Sequence, residues 1–124
     1  MEITNEQKTD LLRQIKELDV DAGLKATSRM VPVYLKVLGL FVKNQPEDSV
    51  KLNGYIESSD YEAFGVLVHG YKSILGNLGA QGLSEMASEL DAASRKQDES
   101  FIKEQFPAFD LRIRSLADKV AEII

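Results

Sequence analysis

The chain has no cysteine, a single histidine and only three prolines in 124 residues. Without cysteine there is no disulfide framework, no thiolate metal site and no thiol nucleophile. That fits a reducing compartment, and a cytoplasmic location is expected. A clustered basic patch is also missing, since the net charge is −5. Phosphate neutralisation supplies much of the affinity of nucleic-acid binders, so no nucleic-acid partner is expected. Long apolar runs are absent as well. The longest, Val37 to Val42 with Gly39 inside it, is too short to cross a bilayer, so no membrane insertion is expected. The polar, acidic opening from Met1 to Asp10 predicts no leader peptide. One histidine, with no His-x-x-x-His or Glu-x-x-His spacing, leaves only carboxylates as further metal ligands, so no metal site and no bound cofactor are expected. No Gly-rich phosphate loop of Walker type and no ATP-binding module is present.

What the chain does have is helical periodicity throughout, with no sustained strand-like alternation. Apolar residues make up 44% and charged residues 28%, enough for one globular unit that buries its core without staples. A first helix is expected from Thr4, with Gln7 completing a capping box and Leu11, Leu12, Ile15 and Leu18 on its apolar face. A short segment follows over 21–27. Ser28 is the expected cap of the next helix, Pro32 suits its first turn, and Tyr34, Val37, Leu38 and Phe41 form its stripe. Pro46 is expected to close that run and open another carrying Val50, Leu52, Tyr55 and Ile56. Asp60 caps a long helix to Leu78, and Gly79 takes the C-terminal cap position. A further helix runs from about Ala80 to Lys96, with Leu83, Met86, Ala87 and Leu90 inward. Asp98 caps a last helical region that Pro107 is expected to kink or divide. Short links between amphipathic helices predict an all-α protein, an antiparallel up-and-down four-helix bundle with extra N-terminal helices. Residues 1–19 are expected to be an N-terminal helix or linker, with packing onto the bundle as the alternative, and 20–124 to be the functional domain. A bundle that buries its apolar faces within one chain is expected to be a monomer.

The helix from Asp60 to Leu78 carries the only histidine. At roughly 100° per residue, Phe64, Leu67, Val68, Tyr71, Ile74, Leu75 and Leu78 share an arc about 120° wide. His69 falls about 160° from the centre of that arc and is expected to face solvent. Positions three, four and seven away hold Gly65, Val66, Lys72, Ser73 and Gly76, and Gly70 follows directly. Glycines inside a helix cost roughly 1 kcal/mol each relative to Ala. Tertiary packing must supply that stability elsewhere, and the glycines read as clearance: Gly65, Gly76 and Ser73 lower the surface around the imidazole so that another protein can approach it, and Lys72 stands ready for an anion held there.

The run His69-Gly70-Tyr71-Lys72-Ser73-Ile74-Leu75-Gly76-Asn77-Leu78-Gly79-Ala80 resembles the signature of histidine phosphotransfer domains of two-component phosphorelays. That family has a histidine followed three residues later by lysine, then small residues, then Asn-Ile/Leu-Gly-Ala. His69, Lys72, Asn77, Gly79 and Ala80 match directly, and Tyr71 and Leu78 match in apolar character. Tyr34 to Phe41 resembles the family's Tyr-x-x-Val/Leu-Leu-x-x-Phe helix. Leu83, Ala87, Leu90, Asp91 and Ala93, ending at Arg95 and Asp98, resemble the partner of its histidine helix. The likeness covers about residues 20–120. It departs at Ser73, where the family usually has Gly, and at Ile74, where it has a small residue. Ile74 is expected to face the core.

The resemblance implies that His69 accepts a phosphoryl group from the aspartyl phosphate of a response-regulator receiver domain and passes it to another. Lys72 and Gln81 would stabilise the phosphoryl group; Gly65, Val66, Gly70, Ser73 and Gly76 would form the docking surface. Mg²⁺ would come with the receiver. The chain would be a carrier rather than an enzyme, acting beside or within a hybrid histidine kinase. Two alternatives remain open: the phosphoacceptor domain of a chemotaxis-type histidine kinase, and a helical docking module in which His69 does no chemistry. The dimerising hairpin of a sensor kinase fits less well, because its histidine is normally followed by Glu or Asp rather than Gly.

Overall fold

A computed structural model describes residues 3–124, and among these every regular element is an α-helix. The elements are α1 (Asn5–Leu12), α2 (Val20–Ala26), α3 (Val31–Glu57), α4 (Tyr61–Leu78), α5 (Gln81–Arg95) and α6 (Glu99–Ala121). Side chains fix most of the starts. Thr4 and Gln7 form the expected capping box on α1. Asp19, Asp60 and Asp98 each accept a bond from the backbone N–H three residues on, satisfying donors that a helix cannot pair internally. Ser28 does not cap α3. It sits at φ 56°, and Met30 holds the cap position without a side-chain bond.

Neither internal proline ends a helix. α3 runs unbroken through Pro46 and α6 through Pro107. Both rings are exposed, so the hydrogen bond each one forfeits is lost on the solvent side, where water replaces it. The inward stripe of α3 is Tyr34, Leu38, Phe41, Gln45, Ser49 and Leu52, regular helical spacing carried across the proline by two polar residues. Those two are buried because they are bonded: Gln45 Nε2 donates to Ser49 Oγ at 2.7 Å, and Ser49 Oγ donates to Asp110 Oδ1 on α6 at 2.6 Å. Val50, expected on an apolar face, is consequently 73% exposed.

Helix α4 packs against α5 and α3, and α6 packs against both α5 and α3. Leu38, Leu52, Phe64, Val68, Leu75, Leu90, Ile102, Phe109 and Ile113 fill the space among them. Phe64 and Phe106 meet edge to face, with ring centroids 5.6 Å apart. Leu12, Ile15 and Leu18 are buried in the same cluster, so packing draws no boundary between the segment before residue 20 and the rest. Leu11, expected inward, is partly exposed.

Two buried tyrosines tie α4 to α3. The Tyr34 hydroxyl donates to the Leu78 carbonyl at 2.9 Å, and the Tyr71 hydroxyl donates to Asp48 at 2.6 Å. Burial raises the pKa of both phenols, with the Asp48 bond adding to the shift at Tyr71. A phenol whose folded pKa is raised contributes stability that is fully present below its unfolded value, about 10, and lost as pH rises beyond it. The urea midpoint is therefore expected to fall above about pH 10, and to fall less in the Tyr34→Phe/Tyr71→Phe double variant. Leu12→Ala is expected to cost about 2–5 kcal/mol in urea unfolding, the penalty of a core truncation. A loss below 1 kcal/mol, on the scale of a surface change, would mean that α1 is a detachable appendage.

Candidate functional site

Asp60 starts α4, and His69 follows two turns later on its outer face, as the wheel predicts. The His69 side chain is 55% exposed. The ring is not free, however. Its Nδ1 lies 2.8 Å from Oδ2 of Asp91 on α5, and that carboxylate is only 8% exposed. The same oxygen accepts a bond from the Arg95 guanidinium at 2.9 Å. A carboxylate can only accept, so the bond places the ring proton on Nδ1. In the neutral ring Nε2 then keeps its lone pair, which is the nucleophilic position.

Gly65 allows α5 to come this close. It is buried, and an added Cβ would be driven into the Ser94 side chain. Ser94 Oγ in turn donates to the Asp91 carbonyl at 2.7 Å. A second contact repeats the device: Ser84 Oγ donates to the Lys72 carbonyl at 2.8 Å and lies 3.4 Å from where a Gly76 Cβ would stand. Gly65 is therefore a packing glycine rather than cleared docking space, and Gly76 is half-buried on the same side. Other positions on the outer face of α4 are uncovered. Gly70 has nothing within 4 Å of an added Cβ, Ser73 is exposed, and Val66 is 73% exposed. Ile74, expected in the core, is 39% exposed at the edge of the stripe, where it lines an apolar groove with Val37, Leu40 and Phe41.

Lys72 is exposed one turn beyond His69. Gln81 is not near the ring. It opens α5, ten residues before Asp91, about 15 Å away along the helix. There it borders a different hollow, with Lys16, Glu17 and Arg112. On the other side of His69 a cleft of about 470 Å³ runs between α4 and α5, past Gly65 and Val66 to Tyr61, with Arg95 on its rim. No group of three or more His, Asp or Glu side chains among the described residues converges as a metal site would require.

Asp91 and Arg95 are the participants that the sequence reading did not assign to the site. Their signal was present: Asp91 interrupts the inward stripe Leu83, Ala87, Leu90, Ser94, and Arg95 follows at the i,i+4 spacing of a helical ion pair. An acid on a buried stripe needs a partner, and His69 is that partner. No family model, no curated protein and no solved structure matches this chain.

Two helix glycines near His69, Gly65 and Gly70, are expected to behave differently when changed to Ala. Gly65→Ala must displace Ser94 and is expected to lower stability by about 1–3 kcal/mol, as overpacking does. Gly70→Ala meets no neighbour and is expected to raise stability by about 0.5–1 kcal/mol through helix propensity. Urea unfolding of the two variants measures both.

Proposed function

We propose that this chain is a histidine phosphotransfer domain: a phosphocarrier that takes a phosphoryl group onto His69 from the aspartyl phosphate of a response-regulator receiver and hands it to a second receiver. The observation that carries the reading is the pairing of a half-exposed imidazole with a buried carboxylate at 2.8 Å. A histidine that only decorated a surface would have no need of an oriented, desolvated acid behind it. In support stand the resemblance across His69 to Ala80 and the bare Gly70 surface beside the ring. On this reading α3, α4, α5 and α6 make an antiparallel up-and-down four-helix bundle, with α1 and α2 as its extra N-terminal helices.

In the proposed step Nε2 attacks the phosphorus of the acyl phosphate in line. The Nε2–P bond forms, the P–O bond breaks, and the receiver's carboxylate leaves. No proton has to move: Nδ1–H stays on the ring, which becomes cationic, and Asp91 stabilises that charge. Mg²⁺ is proposed to come with the receiver, whose acidic pocket would hold it and neutralise phosphoryl charge. Lys72 supplies a cation near the transferred group. The docking face is Val66, Gly70 and Ser73 with the neighbouring Ile74 and Leu40, replacing the set centred on Gly65 and Gly76. The carrier is proposed to act as a monomer in the cytoplasm, with receivers and a hybrid histidine kinase as its partners.

The test is transfer from purified, phosphorylated receiver domains in Mg²⁺. An acid-labile, base-stable label is expected on the wild-type chain and none on His69→Gln. Failure of every receiver of the same cell to label the chain, or equal labelling of the variant, would overturn the reading. Gly70→Ala is expected to slow transfer by about tenfold while leaving the fold intact, since a misplacement of about 1 Å at a reacting centre costs more than that.

A further inference from the structure

Asp91 Oδ2 carries two donors at once, His69 Nδ1 at 2.8 Å and Arg95 at 2.9 Å. The two do not stand alike. Asp91 is buried and fixed, whereas the Arg95 side chain is 68% exposed on the rim of the cleft beside His69. Its bond to Asp91 is an i,i+4 contact along one helix face, weak in exposed settings. A carboxylate oxygen that accepts two donors at once holds each of them more weakly than it would hold one alone. A cation a few ångströms from the ring also opposes positive charge on it. Both effects act in one direction: Arg95 restrains what Asp91 does to His69. Glu62 of α4 lines the same cleft, and Lys72 stands exposed one turn beyond His69.

We propose that Arg95 is a positioning residue that sets the strength of the Asp91 pull on His69, and through it the partition of the phosphoryl group between a receiver's aspartate and this chain. The second half rests on the phosphocarrier reading. Forming the Nε2–P bond makes the ring cationic while Nδ1–H stays bonded to Asp91. A stronger Asp91 pull therefore favours phosphohistidine, and Arg95 holds that preference back, which keeps the group transferable onward.

The chain's single histidine makes the first half directly readable, because one imidazole accounts for the whole histidine NMR signal. Arg95→Gln, an exposed change, is expected to move the Nδ1–H proton resonance downfield, as a stronger charge-assisted bond to Asp91 does. Arg95→Lys, which keeps a cation within reach of Asp91, is expected to stay close to the parent. Asp91→Asn is expected to shift the neutral ring away from the Nδ1–H tautomer. High salt is expected to shrink the Arg95→Gln difference. In receiver mixtures at equilibrium, Arg95→Gln is expected to increase the phosphohistidine share about two- to fivefold, the scale of an exposed charge pair, with Arg95→Lys restoring the parent ratio. An unchanged or upfield Nδ1–H resonance in Arg95→Gln overturns the proposal whether or not any receiver transfers. A downfield shift in a chain that no receiver labels supports the Arg95–Asp91–His69 coupling and overturns the phosphocarrier reading alone.

Discussion

The chemistry around His69 depends on how closely α4 and α5 approach each other. A buried carboxylate is costly unless its charge is met by donors. Arg95 meets part of that charge from the same helix, and His69 Nδ1 meets the rest because α5 lies near enough for it to reach Oδ2 at 2.8 Å. The approach requires Gly65, since any side chain there would collide with Ser94. Ser94 and Ser84 convert the closeness into hydrogen bonds, one to the Asp91 carbonyl and one across to the Lys72 carbonyl. Small residues thus come first in the causal order, the buried acid second, and the oriented imidazole third.

The opposite end of the same helix pair is anchored by the N-terminal segment. Gly79 leaves α4 at φ 92°, a conformation that other residues adopt with strain. Its carbonyl accepts the Asp19 N–H at 2.8 Å, and an added Cβ would run into the Asp19 carbonyl. The Leu78 carbonyl, one of those a helix end leaves without an internal partner, accepts the Tyr34 hydroxyl at 2.9 Å. Gly23 admits both the Tyr34 ring and that carbonyl. The turn between α4 and α5 is therefore held from outside by α2 and α3. A fixed turn sets the register in which Gly65 meets Ser94 and His69 meets Asp91.

The helical class, the Thr4, Asp60 and Asp98 caps, the Gly79 terminus and the outward His69 were legible in the sequence, because each is a local matter of spacing or backbone conformation. Three features were not. Pro46 looked like a break because the stripe it interrupts carries Gln45 and Ser49, whose burial depends on Asp110, some sixty positions further on. Ile74 looked like core because a wheel gives the direction of a side chain but not how far the neighbouring helix extends to cover it. Gly65 and Gly70 looked alike because what distinguishes them is the presence or absence of Ser94. Asp91 was readable as an anomaly on an apolar stripe, and only the tertiary pairing says what resolves it.

That last distinction bears on what His69 is for. Gly65 and Gly79 have structural reasons to be glycine, in contacts that a Cβ would break. Gly54 and Gly82 lie in terminal turns, where a glycine weakens a helix little. Gly70 is in the middle of α4 with open space around it, and folding gains nothing from it; the helix is weaker by roughly 1 kcal/mol than with Ala. A destabilising choice next to the one oriented imidazole is the kind of local inconsistency that functional sites carry. The Gly65 contact brings the buried acid against the ring, while the backbone at Gly70 stays uncovered on an outer face of the same helix.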